Sequence, residues 1–328
     1  MKAWRTTDSP GRLELTEVPV PEPGAGEVLV RVEAVGVCRT DLHVIDRDLP
    51  VHRPGVIPGH QVVGTVAAVG PEVIELTSGD RVGVAWLRHT CGVCRWCRTG
   101  RENLCPRSTY TGWDFDGGYA EYMTAPEAFV YRLPPLADAI RTAPLLCAGI
   151  IGYRALKRAA LPPGGRLGVY GFGSSGHLTA QLAAASGAEI HVMTRGEGNR
   201  RLARELGVAF VGDALDMPPE PLDSAIVFAP AGGIVPAALR ATAPGGTVTL
   251  AGIHMSDVPA MSYEEHLFHE RDLRTVTANT RADGMEFLRL AERLSLSARI
   301  TTYDFAEAAT AVDDLRSGRA SGSLVLTV

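Results

Sequence analysis

The chain has 328 residues, 45% hydrophobic and 21% charged, which suits a globular protein with a sizeable core and excludes a largely disordered one. Thirty-two basic against 37 acidic residues leave a net charge of −5, which opposes a nucleic-acid-binding role, and no apolar run approaches the roughly 18 residues of a membrane span. At about 150 residues per domain the length suggests two domains, and 36 Gly with 22 Pro suggest many tight turns rather than a helical bundle.

In chain order, residues 1–10 carry Lys2, Arg5 and Asp8 and no apolar signal core, so a cytoplasmic protein with reduced cysteines is expected. Pro19, Pro21, Pro23, Gly24 and Gly26 form a turn-rich entry. Residues 27–35 alternate polar and apolar side chains, the pattern of a half-buried strand. Residues 64–70 and 80–85 are two further strands bounded by Gly, so this part of the chain is β-rich.

Four of the six cysteines fall in one stretch: Cys91, Cys94 and Cys97 at steps of three, then Cys105. Three disulfides are formally possible, but thiols this close without a secretory signal disfavour them. Four thiolates at this spacing suit a tetrahedral zinc with Zn–S bonds of about 2.3 Å. All four corners are filled, so a structural site is expected rather than a catalytic one. Such a centre carries a net charge of −2. Arg88, Arg95, Arg98, Arg101 and Arg107 lie in the same lobe, and either some of them offset that charge or they form a solvated basic face.

Near Pro144 the character changes. Short apolar strands (167–170, 189–194, 225–229, 247–252, 274–277) alternate with helical segments (175–186, 199–206, 234–241, 264–270). That alternation predicts a doubly wound parallel sheet, an α/β unit. Residues 284–294 and 306–315 read as helices and 323–328 as a closing strand. The first strand runs into Gly171-Phe-Gly173-Ser174-Ser175-Gly176 and a helix. In this strand–turn–helix setting Gly171 permits the tight turn, Gly173 lets backbone approach a pyrophosphate, and Gly176 lets the helix sit close on the sheet.

Cofactor choice is read about twenty residues later. An NAD site favours an acid there to hold the ribose hydroxyls. This chain has Thr194 and Arg195 at the tip and Arg200 just beyond, which favours NADP(H) over NAD(H).

Cys38, His60 and Cys147 remain, each unremarkable alone. Cys38 opens Cys-Arg-Thr-Asp-Leu-His, His60 lies in Pro-Gly-His-Gln, and Cys147 begins a helical run. With these segments, the four-cysteine lobe and the nucleotide turn, the chain resembles a zinc-dependent alcohol dehydrogenase of the medium-chain dehydrogenase/reductase family over essentially its whole length. The resemblance implies a Rossmann sheet inserted into a GroES-like β-rich catalytic domain. The boundaries expected are 1–145 and 279–328 for the catalytic domain, with the zinc lobe at 88–107, and 146–278 for the Rossmann domain.

The resemblance also assigns roles. Cys38, His60 and Cys147 would hold a catalytic zinc with one corner left for water or substrate, so two zinc ions are expected per subunit. Asp41 would fix the tautomer of the zinc-bound His60. Thr40 would accept the alcohol's proton, passed on through the cofactor ribose to His43. Arg39 would contact the pyrophosphate. Trp86, and more loosely Trp113, would wall the pocket and favour primary, including flat aromatic, alcohols and aldehydes; either could instead be plain core. Two departures stand out: Gln61 replaces the family's common Glu, and Ser323 an Arg that often lies near the cofactor.

The reaction expected is hydride transfer between a primary alcohol and NAD(P), in a homodimer or homotetramer. A polyol or sugar dehydrogenase of the same fold and a non-catalytic NADPH sensor are the alternatives. A zinc-free reductase is disfavoured because all three catalytic ligands are present. A nucleic-acid zinc ribbon is disfavoured by the single cysteine run and the acidic balance.

Overall fold

The computed structural model describes residues 1–319 and 322–328. The chain divides into two compact units, residues 1–147 with 278–288 and 299–328, and residues 148–277 with 289–298.

The first unit is built on a seven-stranded sheet. Its order is Ile300–Asp304, Ser323–Thr327, Glu27–Val37, Val62–Val69, Arg81–Val84 and Val130–Arg132, with Tyr122–Pro126 also paired to Glu27–Val37. Period-two alternation sends Val28, Val30 and Val32 into a core with Val62, Val66, Val82, Val84, Met123, Leu324 and Leu326. A register shift between Val32 and Ala34 marks an irregularity in the pairing with Val62–Val69, the kind of feature that bends a strand. One end of that pairing matters for chemistry, the end where Val35 pairs with Val62. Glu27–Val37 runs directly into Cys38, and Val62–Val69 begins two residues after His60.

The second unit carries six parallel strands in the order Phe210–Gly212, Glu189–Met193, Arg166–Tyr170, Leu222–Val227, Thr242–Leu250, Asp272–Thr275. Numbered along this unit the order is 3-2-1-4-5-6, that of a Rossmann sheet. Leu167 and Val169 face one core, shared with Ala155, Ala180, Ala183 and Leu202 of the helices Ala148–Ala159, Ser174–Ala185 and Glu197–Glu205. Tyr170 and Met193 face the other, with Val235, Ala238 and Leu239 of the helix Val235–Ala241. Helices thus cover both faces of the sheet.

Several boundaries differ from the sequence reading. The fourth strand starts at Leu222 and the fifth at Thr242, earlier than expected. Phe210–Gly212 and Ile300–Asp304 are strands that the sequence reading did not include. The helix expected over 264–270 spans only Tyr263–His266. Residues 289–298, expected in the first domain, group with the second unit, where the Gln181 amide clamps Ser297: Nε2 donates to Ser297 O at 2.9 Å and Oε1 accepts its N–H at 3.2 Å. Among the described residues no helix is long and apolar enough to cross a membrane.

Candidate functional site

Cys38 directly follows the strand Glu27–Val37 and caps the helix Arg39–Ile45. Its Sγ accepts the Thr40 N–H at 3.3 Å, while Asp41 turns back to accept the Cys38 N–H at 2.8 Å. This reciprocal cap fixes the thiol and the carboxylate relative to each other. Asp41 Oδ1 also takes Nδ1 of His60 at 3.0 Å and the Gly59 N–H at 3.2 Å. With Nδ1 so occupied, Nε2 of His60 faces Cys38 Sγ at 3.5 Å and Cys147 Sγ at 3.3 Å.

The three ligand atoms lie within 4.8 Å of one another. A tetrahedral zinc with ordinary bonds has N···S edges of about 3.6 Å, so the set fits a shared zinc ion. The protonation chemistry agrees. A hydrogen bond from Cys147, with His60 and the Thr40 side chain helping against burial, holds the Cys38 thiol well below its usual value. The same bond and burial hold the Cys147 thiol up. Burial pushes the His60 imidazolium down, but the charges of Asp41 and Cys38 reverse this and raise it to about 10. A cation entering here would displace protons from His60 and Cys147, so its binding would depend on pH.

Thr40 is buried on the first turn of the helix, Arg39 beside it is exposed, and His43 is partly exposed with Nδ1 2.8 Å from Asp48 Oδ2. Gln61 is buried and its amide packs on the backbone of Gly36, where a Cβ would stand 2.4 Å from Oε1. Ser323 opens the strand Ser323–Thr327, its N–H on Arg299 O at 2.7 Å. Ala320 and Ser321, in the same stretch, lie outside the described residues.

The second cluster gathers Cys91, Cys94, Cys97 and Cys105, again within 4.8 Å. Cys97 Sγ stands 3.9 Å from Cys91 Sγ and 3.5 Å from Cys94 Sγ, against about 3.8 Å for the edge of a zinc–thiolate tetrahedron. The Val93 amide, then the Arg107 side chain and the Cys94 amide, lower the Cys91 thiol to about 5. Burial, then Cys94, raise Cys97 to about 11. The arginine reading changes in detail. Arg95 and Arg101 stack on the Trp96 ring at 4.2 and 4.7 Å, and Arg88 pairs with Glu27 at 2.6 Å. Arg107 is the arginine that hydrogen-bonds a ligand, Cys91.

Trp86 meets His60 edge-on with centroids 4.9 Å apart and stacks on Tyr110 at 5.0 Å and Trp113 at 5.9 Å. Trp113 stacks on His52 at 3.8 Å and donates Nε1–H to Pro50 O at 2.8 Å. Both predicted tryptophans therefore belong to one aromatic slab beside the His60 ring. Sequence reasoning missed Tyr110 and His52, which were visible only as aromatic residues near the tryptophans.

In the second unit, Gly171 has φ +91° and a Cβ there would meet Ala229 N at 2.9 Å. A Cβ on Gly176 would meet Gly171 O at 2.4 Å, whereas one on Gly173 meets nothing within 4 Å. Gly173 caps the helix Ser174–Ala185 without a side-chain hydrogen bond, and the first N–H groups of a helix have no partner within it, which is what lets such a turn hold a phosphate. Thr194 differs from expectation. It is buried, and its hydroxyl accepts the Phe172 N–H at 3.2 Å, tying the first strand's turn to the second strand. Arg195 is exposed. Arg200 donates Nε–H to Thr194 O at 3.1 Å and pairs with Asp213 at 2.7 Å.

Residues 24–135 match the model of the alcohol dehydrogenase GroES-like domain, and residues 176–293 that of the zinc-binding dehydrogenases. A probable alcohol dehydrogenase, AdhA, of Mycobacterium tuberculosis (strain CDC 1551 / Oshkosh) is 55% identical, over 100% of this chain and 97% of that protein. The structure of CAD from Helicobacter pylori, complexed with NADP(H), superposes with TM-score 0.90 at 25% identity, covering 99% of this chain and 97% of that one. Acetophenone reductase from Geotrichum candidum, in complex with NAD, gives TM-score 0.90 at 28% identity, covering 100% and 97%.

Proposed function

We propose, since the chain belongs to the zinc-dependent alcohol dehydrogenases of the medium-chain dehydrogenase/reductase family, that it interconverts primary alcohols and aldehydes, aliphatic or aromatic, with NADP(H) favoured over NAD(H). The observation that carries this reading is the convergence of Cys38, His60 and Cys147, with Asp41 fixing His60 so that Nε2 faces the two thiols. Three protein ligands leave one coordination corner for a hydroxyl oxygen. The overall change is RCH2OH + NADP+ to RCHO + NADPH + H+.

When bound, zinc polarises the alcohol oxygen and the nicotinamide exchanges hydride with the carbinol carbon. The residues of the chain handle the proton and the orientation. Thr40, buried two residues from Cys38, relays the hydroxyl proton, accepting it as its own hydroxyl proton is passed on. His43 is one helical turn away on the same face and partly exposed, and releases that proton toward solvent. Asp41 holds His60 in the tautomer that presents Nε2. Cys91, Cys94, Cys97 and Cys105 hold a second, structural zinc, which makes two per subunit.

NADP(H) preference is supported by the absence of an acid at the end of Glu189–Met193 and by Arg195 and Arg200 there. Arg39 and the turn 171–176 are assigned to the pyrophosphate. The two solved neighbours hold different cofactors, so the preference rests on these residues alone. The slab of Trp86, Tyr110 and Trp113 supports flat, apolar substrates over polyols. A cytoplasmic homodimer or homotetramer is part of the proposal on resemblance only.

The test is a panel of primary alcohols, aldehydes, polyols and sugars with NADPH and NADH, before and after chelation. The proposal expects aromatic and aliphatic aldehydes to be reduced faster with NADPH, with turnover lost on zinc removal and restored by zinc. Turnover confined to polyols, or unaffected by complete zinc removal, would overturn it.

A further inference from the structure

Six residues beyond Trp113, Tyr119 is wholly buried. Residues 116–119 mould the loop that carries His60. Asp116 Oδ1 accepts the Ile57 N–H at 3.0 Å, Gly117 N–H donates to Ile57 O at 2.7 Å, Gly118 N–H to Gly59 O at 2.9 Å and Tyr119 N–H to Pro58 O at 2.9 Å. The Tyr119 ring occupies the place a Cβ on Gly59 would need, 2.5 Å away, so ring and loop fix each other. Its hydroxyl reaches Asp41 Oδ2 at 3.3 Å.

Asp41 therefore receives four donors. His60 Nδ1 and the Gly59 N–H reach Oδ1, and the Cys38 N–H and the Tyr119 hydroxyl reach Oδ2. These fill the acceptor capacity of a carboxylate. Three of the four belong to Cys38, His60 and its neighbour. Only the Tyr119 hydroxyl comes from elsewhere, and only it can be removed without cutting backbone or a ligand.

We infer that Tyr119 is a positioning residue for hydride transfer: its hydroxyl draws charge from Asp41 and so limits how strongly Asp41 pulls on the His60 N–H. Without it, Asp41 is a stronger acceptor, His60 a stronger donor to a metal, and the metal a weaker Lewis acid. The inference rests on the zinc reading of Cys38, His60 and Cys147.

The test is Tyr119→Phe in the full-length, zinc-loaded protein, with zinc content measured first. Expected are a three- to tenfold lower kcat for alcohol oxidation with little change in KM, and a pH–rate profile displaced to higher pH. Zinc should leave that site to a chelator three- to tenfold more slowly, and the absorption bands of the cobalt-substituted form should shift. Replacing Tyr119 by 3-fluorotyrosine, a stronger donor, should move the pH profile the opposite way, which keeps the test decisive if the Phe variant folds poorly. A lowered Tm with unchanged profile, chelation rate and cobalt spectrum would assign Tyr119 to packing alone and sink the inference. If wild-type protein itself holds no zinc at Cys38, His60 and Cys147, the underlying reading fails instead.

Discussion

Asp41 and His60 lie 19 residues apart in the chain and meet at 3.0 Å with both side chains essentially excluded from water. The contact settles which imidazole nitrogen faces the thiols. Asp41→Asn should therefore weaken zinc retention and kcat/KM by about 10- to 100-fold. Its amide can still bond one neighbour but cannot accept from Cys38, Gly59, His60 and Tyr119 together. Equilibrium zinc competition alongside steady-state kinetics checks this, and wild-type values for both would remove Asp41 from the account.

Thr40 is assigned the first proton transfer. Thr40→Ala should lower kcat by about 10²- to 10⁴-fold, while Thr40→Ser, which keeps a hydroxyl in place, should retain most of it. Equal losses in the two variants would show that the methyl group rather than the hydroxyl matters.

In the cysteine lobe the arginines should separate. Arg107 bonds Cys91, whereas Arg95 lies on Trp96. Arg107→Gln should speed chelator-driven loss of the structural zinc several-fold, and Arg95→Gln should leave it unchanged. The reverse order would return the role to Arg95.

Cofactor preference should depend on Arg195 more than on Arg200, because Arg200 is already engaged by Asp213 and by Thr194 O. Loss of one charge-assisted phosphate contact is worth about 1.5–3 kcal/mol, or about 10- to 100-fold in kcat/KM. Arg195→Gln should show that loss with NADPH and little change with NADH. An equal effect on both cofactors would place Arg195 away from the 2′-phosphate.

Glu102 and Arg281 are 179 residues apart and joined by contacts of 2.6 to 3.2 Å. Burial tends to raise the Glu102 carboxyl, but the hydrogen bonds and charge of Arg281 outweigh it and hold it below the usual 4.5. A depressed carboxyl stabilises the fold above the unfolded value and loses that contribution as pH falls through the folded one. Glu102→Gln should thus cost about 1–2 kcal/mol near neutral pH, discounted for the exposure of Arg281. The gap in Tm between variant and wild type should close well below pH 4.5. A gap that persists unchanged in acid would contradict the ion-pair origin.

Local signals were legible in the sequence and distant ones were not. Cys91, Cys94, Cys97 and Cys105 read as a metal site because their spacing alone allows one segment to wrap an ion. The turn at Gly171, Gly173 and Gly176 read correctly because strand, turn and helix are contiguous. Cys38, His60 and Cys147 are separated by 22 and 87 residues, so no spacing rule joins them and only family resemblance did. The hydroxyl of Tyr119 finds its partner 78 residues away, and a buried Tyr ordinarily means packing. Phe210–Gly212 escaped notice because three residues carry no periodicity. Thr194 misled because its hydroxyl serves the Phe172 backbone, a tie that no local pattern reports.

The central claim is a catalytic zinc held by Cys38, His60 and Cys147. Zinc content per chain, measured by mass spectrometry on wild type and Cys38→Ser after exhaustive dialysis, tests it most directly. The account predicts two ions in the wild type and one in the variant, with the variant folded and inactive. Equal zinc in the two proteins, or an active variant lacking one ion, would contradict it.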